Sequence, residues 1–279
     1  MNIYNIIIAC NRISILFKKS IFILPVLLIF CSCEEIITVD LNNEHPKVVI
    51  ESFITNTDYP IVVKITKSQA YFNQSEFTPV KKATVQLEYL SVKEKLIDKG
   101  NGNYVSTRTK WVVGRAYTLN ISTEGETFGA TVVVPPSVPI DTVYFQPGLF
   151  QNDSLNIVVE FRDPANMENY YRIKLYRNGR YAVNDYYLLS DAFSDGEKMV
   201  APVYYRNFAP GDTVVVELLN LERSTWRYFK GLSESIQQGI NSQAPGNPPS
   251  NFSGGALGIL GAWGLSTYRI NLPPEKVKK

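Results

Sequence analysis

The chain has 279 residues, 28 Lys and Arg against 26 Asp and Glu, three cysteines and a single histidine, His45. Near-balanced charge excludes the basic signature of a nucleic-acid binder. One histidine leaves little room for a Ser-His-Asp triad or a histidine-metal centre, since both need several ligands or partners converging on the folded body.

The N-terminus reads as an export signal. Ile21 to Phe30, IFILPVLLIF, is uninterrupted apolar sequence preceded by Arg12, Lys18 and Lys19. A basic region, a short apolar region and then small residues are the layout of a secretory signal. The run is about half the roughly twenty residues that a membrane-crossing helix requires. Ser32-Cys33 after it resembles the lipobox of bacterial lipoproteins, with Phe30 where Leu is usual. That resemblance implies cleavage after residue 32, acylation of the Cys33 sulfur and attachment to a membrane by lipid. The alternative is an ordinary signal peptide with incidental cysteines. With residues 1–32 go Cys10, Cys31 and three cations but no acid, so the mature chain is expected to carry one net negative charge and no free thiol. Glu34-Glu35 resembles the acidic pair behind the cysteine of surface-exported lipoproteins of Bacteroidota, which implies the cell-surface side of the outer membrane.

A polar tether over 33–46 leads into short β-rich runs separated by turn residues, the pattern of an all-β sandwich. The first set spans Val48 to Thr55, Ile61 to Ser68, Ala83 to Leu90, Asn103 to Thr107, Ala116 to Thr123 and Thr127 to Pro135. In Ala83 to Leu90, Val85, Leu87 and Tyr89 alternate with Thr84, Gln86 and Glu88, which predicts one buried and one wet face. Lys99 to Asn103 and Glu124 to Glu126 supply residues that accept positive φ at hairpins. Pro135, Pro136 and Pro139 then mark a boundary, because proline cannot donate to a ladder. Residues 47–137 are therefore expected to form one β-sandwich and 138–279 a second, of immunoglobulin or fibronectin type.

The second set comprises Ile140 onward (DTVYF), SLNIVVEFRD, NYYRIKLYRNG, Tyr186 to Leu189, Val203 to Arg206 and DTVVVELLNL, with Asn178-Gly179 as a hairpin signal. One helix is predicted over 222–239, where Trp226, Phe229, Leu232, Ile236 and Ile240 follow helical spacing and Gly239 offers a stop. Its apolar stripe should pack on the second sheet. The tail, Ala244 to Leu272, is rich in glycine and proline and reads as a special loop entering a final strand.

Searching for chemistry yields few constellations. No Gly-x-Ser-x-Gly elbow, P-loop or Gly-x-Gly-x-x-Gly occurs. No catalytic residue and no cofactor is predicted. The loop Ser190 to Glu197 places Asp191, Asp195 and Glu197 close in sequence, a candidate calcium ligand set whose spacing misses the calcium-loop pattern. Paired carboxylates also suffice for glycoside hydrolysis, which makes a glycosidase the weaker alternative function. Tyr170-Tyr171, Tyr186-Tyr187 and Tyr204-Tyr205 each fall in an expected strand, so one of each pair should point outward, available for a sugar or a protein. Phe252, Trp263 and Tyr268 in the tail are candidate partner or ligand contacts; the bland reading is that Trp263 fills a core.

Several segments together carry a family resemblance: Cys33 with acids behind it, VVIESFIT, VKKATVQL, GNGNYVS, VGRAYTLNIST, PPSVPIDTVYF and the tail PPSNFSGGALGILGAWG. In this order they resemble the DUF4249 family of Bacteroidota outer-membrane lipoproteins. The resemblance brings no activity and no site residue with it. It implies a non-enzymatic accessory of a TonB-dependent outer-membrane receptor, with a glycan- or peptide-capture module as the alternative. The first domain resembles carboxypeptidase-regulatory-like sandwiches. Asp141-Thr142-Val143, Asp153-Ser154-Leu155 and Asp212-Thr213-Val214 resemble the Bacteroidota O-glycosylation motif and make Thr142, Ser154 and Thr213 candidate acceptors.

Overall fold

The computed structural model describes residues 46–57, 60–69, 77–109, 111–147, 155–182, 186–205, 208–240 and 246–272. The signal segment, Cys33, Glu34, Glu35, the tether to His45 and Ser154 lie outside the described residues. Alternating runs become strands where expected: β1 (Val48–Thr55), β2 (Val62–Lys67), β3 (Thr84–Tyr89), β6 (Asn103–Val105), β7 (Ala116–Thr123) and β8 (Glu126–Val133). Two short strands without an apolar alternation join them, β4 (Val92–Lys95) and β5 (Ile97–Asp98). Beyond the prolines come β9 (Ile140–Pro147), β10 (Leu155–Arg162), β11 (Tyr170–Arg177), β12 (Arg180–Tyr181), β13 (Tyr187–Ser190), β14 (Lys198–Tyr204), β15 (Thr213–Leu221), α1 (Arg223–Ile240) and β16 (Leu257–Asn271).

The strands form three sheets: β4-β3-β7-β8, β14-β10-β9, and a nine-stranded sheet ordered β12-β11-β15-β16-β1-β2-β6-β5 with β13 also on β11. The protein is mostly β, with sandwich packing on both sides of the proline segment. The four-stranded sheet closes a first core with Ile50, Ile54, Val63, Ile65, Leu87, Leu119 and Ile121. The three-stranded sheet closes a second with Ile157, Phe161, Tyr171, Ile173, Val214 and Val216. Both smaller sheets pack on the same large sheet, so the proline segment separates two cores but not two independent sheets.

The element that joins them is β16. It pairs in parallel with β1, Val49 opposite Leu257 through Thr55 opposite Trp263, and antiparallel with β15, Leu221 opposite Trp263 through Thr213 opposite Asn271. Phe252, Ala256, Leu260 and Ala262 belong to the first core, whereas Tyr268 and Ile270 pack against the second. A central strand with a parallel neighbour is buried on both faces and reads as a continuous apolar run; Ile259, Leu260 and Ala262 are all buried. The final strand expected after a special loop is present and is fifteen residues long. Its glycines answer to crowding. Gly258 has φ +92, and a Cβ there would lie 2.1 Å from the Ile50 carbonyl oxygen. A Cβ on Gly264 would lie 2.3 Å from the Pro136 carbonyl oxygen. That carbonyl also accepts from Asn220 Nδ2 at 3.0 Å, which fixes the proline segment to the centre of the sheet.

Helix α1 covers the other face of the large sheet. Glu222 caps it, accepting from the Ser224 amide at 2.8 Å and the Thr225 amide at 3.2 Å. The buried Thr225 hydroxyl accepts from the Ala262 amide at 2.9 Å, and the Glu222 amide donates to the Ala262 carbonyl at 2.9 Å, so the helix start is tied to β16. Tyr228, Phe229, Leu219, Leu221 and Ile259 form a third core with Trp226, Leu232 and Trp263 around it. Two expectations shift here. The helix continues past Gly239 to Ile240, and Ile236 is half exposed, so the packed part of the stripe ends before it.

Candidate functional site

Beyond the end of β10 and ahead of β14, two loops meet at one end of the second sandwich. The loop 163–169 brings Asp163, and the loop 191–197 brings Asp191 and Asp195. Oxygens of these three carboxylates lie within 4.8 Å of one another, and Asp163 and Asp191 are buried. Charges this close must be compensated, and donors of the two loops do so. Asp163 accepts from the Tyr171 hydroxyl and from the Gly196 amide at 2.9 Å. Asp191 accepts from the Asn169 amide at 2.8 Å. Asp195 takes the Asn166 amide at 2.9 and 3.1 Å. Burial and the Asp163 carboxylate both push the Tyr171 hydroxyl pKa up, so it remains a donor at any physiological pH. Asn166, Met167, Tyr170, Asp191, Ala192 and Asp195 line an open cleft of about 540 Å³ beside the cluster. Met167 is half exposed, and Phe193, next in sequence to the lining residue Ala192, is fully exposed.

This geometry corrects the calcium set read from sequence. Asp191 and Asp195 do come together, but the third carboxylate is Asp163, 28 residues upstream of Asp191 and brought in by the β10 register. Glu197 is exposed and takes part through its backbone, its amide donating to Ser194 at 3.0 Å and its carbonyl accepting from Asp163 at 3.0 Å. Three carboxylates at this spacing can ligate a hard cation through oxygen. As wired, they clamp the two loops. General-acid chemistry would instead need a carboxyl pKa pushed upward. Glu94, Glu160 and Asp212, whose values depart from the ordinary range, all move down.

The tail aromatics fall in different places. Phe252 is buried in the first core, which removes it as a surface contact. Trp263 is half-buried beside Phe53, with ring centroids 5.1 Å apart, and 6.4 Å from Phe229. Tyr268 is half-buried against the second core. Among the glycosylation candidates, Thr142 stands half-buried on β9, opposite Glu160. The Thr213 hydroxyl donates to Asn271 at 3.0 Å. Its neighbour Asp212 has a structural task, accepting from Arg177 Nε at 2.6 Å, Asn178 Nδ2 at 2.7 Å and the Ala209 amide at 2.7 Å.

A family model described as a domain of unknown function, DUF4249, matches residues 34–269. The chain belongs to the DUF4249 family. Curated proteins contain no match to it. Among solved structures, a two-domain fibronectin type III segment of chicken tenascin aligns with 63% of this chain and 90% of its own, at 11% identity and a TM-score of 0.20, a score that says nothing further about arrangement.

In this DUF4249 chain the tyrosine pairs behave unequally. Tyr171 is fully buried while Tyr170 stacks on Trp226 at 4.7 Å. Tyr186 lies just ahead of β13, and both it and Tyr187 are half-buried. Tyr204 faces solvent on β14, as Tyr144 does on β9. A second concavity, of about 490 Å³, lies at the β11–β12 hairpin and is lined by Arg177, Arg180, Tyr181 and Tyr205. Sequence reading passed over it, although Arg177-Asn178-Gly179-Arg180-Tyr181 already showed two arginines and a tyrosine on one tight turn.

Proposed function

We propose that this DUF4249 member is a non-enzymatic lipoprotein, held at the outer membrane by a lipid on Cys33 and exposed at the cell surface, where it serves as accessory to a TonB-dependent receptor. The apolar leader ending in Ser32-Cys33 supports anchoring, and the family match opens at residue 34, directly behind that cysteine. The observation that carries the partner role is the loop tip where Phe193 stands wholly in solvent beside Ala192, with Met167 on the same cleft. Apolar groups gathered at one exposed spot are a common sign of a protein contact. Affinity purification of the lipidated chain from native membranes should recover an outer-membrane barrel protein, and recovery of none removes the reading. Labelled palmitate should enter the parent and not Cys33→Ala.

A capture module is the second reading, favoured by the outward rings of Tyr144, Tyr181 and Tyr204. Trp263 is poorly placed for it, because its ring belongs to the aromatic core under α1. The glycosidase reading is weaker still, and the absence of turnover across a broad glycoside panel would remove it. O-glycosylation at Thr142 or Thr213 would appear as added intact mass on the lipidated polypeptide.

A further inference from the structure

The β11–β12 hairpin is unusual in charge. Residues 170–182 carry Arg172, Lys174, Arg177 and Arg180 and no acid. Three of these cations are engaged. Lys174 pairs with Glu217 at 3.2 Å, Arg177 with Asp212 at 2.6 Å, and Arg172 lies 4.3 Å over Tyr186 and 4.5 Å over Phe229. Arg180 is exposed and pairs with no carboxylate among the described residues.

The carboxylate and side-chain amide acceptors beside the neighbouring concavity are already used. Both Asp212 oxygens take Arg177, Asn178 and Ala209, and the Asn178 side-chain oxygen takes the Thr213 amide at 3.0 Å. The charged group left to face the cleft is therefore a donor, the guanidinium of Arg180, while Arg177 is held by Asp212 through Nε and by the Tyr205 side chain. Two rings form the remaining wall. Tyr181 is braced edge-on by Tyr176 at 5.5 Å, and Tyr205 faces Arg177.

A donor-rich wall selects an acceptor-rich guest. Guanidinium forks match a carboxylate in a two-pronged bond, and tyrosine faces stack on the flat side of a sugar ring. A neutral sugar offers that wall no charged acceptor, whereas a carboxylate does. A cleft of about 490 Å³ is in the range of small-molecule sites and far larger than one inorganic anion fills. We propose that this cleft binds a carboxylate-bearing sugar, a uronic acid residue, with Arg180 gripping the carboxylate and Tyr181 stacking on the ring. The proposal rests on the capture reading and gives it a site and a ligand class.

Isothermal titration of the detergent-extracted full chain with trigalacturonate tests it, alongside neutral galactotriose, inorganic phosphate and a tri-glutamate peptide. Trigalacturonate should bind at least about tenfold more tightly than each of the other three, and Arg180→Ala should weaken it about tenfold, or ~1.4 kcal/mol, with an unchanged melting midpoint. Tyr181→Leu should weaken it as well. Equal binding of phosphate or of the peptide overturns the sugar assignment, and equal binding of galactotriose overturns the carboxylate. Trigalacturonate binding unaffected by Arg180→Ala overturns the site while leaving capture elsewhere on the chain intact. Failure of trigalacturonate to bind overturns this proposal while leaving capture of another glycan or of a peptide intact.

Discussion

Glu94 is a buried carboxylate held entirely by hydroxyls and amides. It accepts from the Thr107 amide at 2.5 Å, the Arg108 amide at 3.0 Å and the Thr109 hydroxyl, closing the turn after β6. Burial alone would raise its pKa, but these donors together outweigh that and leave it lowered. Asp212 is lowered in the same way, burial being offset by the Ala209 amide, Arg177 and Asn178. A carboxylate whose folded pKa lies below its unfolded one stabilises the fold above the unfolded value, and that contribution is lost as pH falls through the folded pKa. Stability should therefore hold at neutral pH and decline below about pH 4.5, with Glu94→Gln flattening the decline in a melting series. At pH 7 the same variant should cost about 2 kcal/mol, since it opposes an amide group to buried donors. Gly264→Ala should cost about 3 kcal/mol by driving a methyl into the Pro136 carbonyl, read as a drop in denaturant midpoint. An unchanged midpoint would show that the proline segment is not seated there.

At the scale of elements, α1 and β16 carry the fold. Phe229 touches Phe53, Tyr186 and Trp263, with centroids 5.9, 5.7 and 6.4 Å away. Phe229→Ala should cost about 3 to 4 kcal/mol and loosen the helix without altering the first core, which near-ultraviolet dichroism separates from far-ultraviolet loss. The elements that sequence reveals are those with a local signal. Strict alternation marks β3 and β7, and Glu124-Gly125 and Asn178-Gly179 adopt the paired positive φ of tight hairpins. What sequence withholds is pairing at a distance. Val92 to Lys95 alternates too little apolar surface to announce β4, and nothing local in Leu257 to Asn271 says that half of it will lie beside β1. The acidic cluster fails for the same reason: Asp163 meets Asp191 only through sheet register, whereas Glu197 is near in sequence and turned away. The glycines of β16 are conspicuous in sequence, yet their cause is the backbone of Ile50 and Pro136 crossing them.

Taken whole, the molecule is two sandwiches sharing one sheet, and β16 contributes to both cores. A fragment of residues 34–137 lacks Phe252, Ala256, Leu260 and Ala262 from its core and should not fold alone; a cooperative melt of that fragment would contradict the shared-sheet account. At one end of the second sandwich Phe193 stands wholly in solvent, and that is where the proposed partner would dock. The central functional claim is that this tip docks on an outer-membrane receptor. The direct measurement is a photo-crosslinker placed at residue 193 of the lipidated chain in intact cells. A crosslinked band containing a TonB-dependent barrel, lost when the crosslinker is moved to Arg108 at the far sandwich, is the predicted result. A chain found free in the soluble fraction, or crosslinked to no barrel from residue 193, would contradict it.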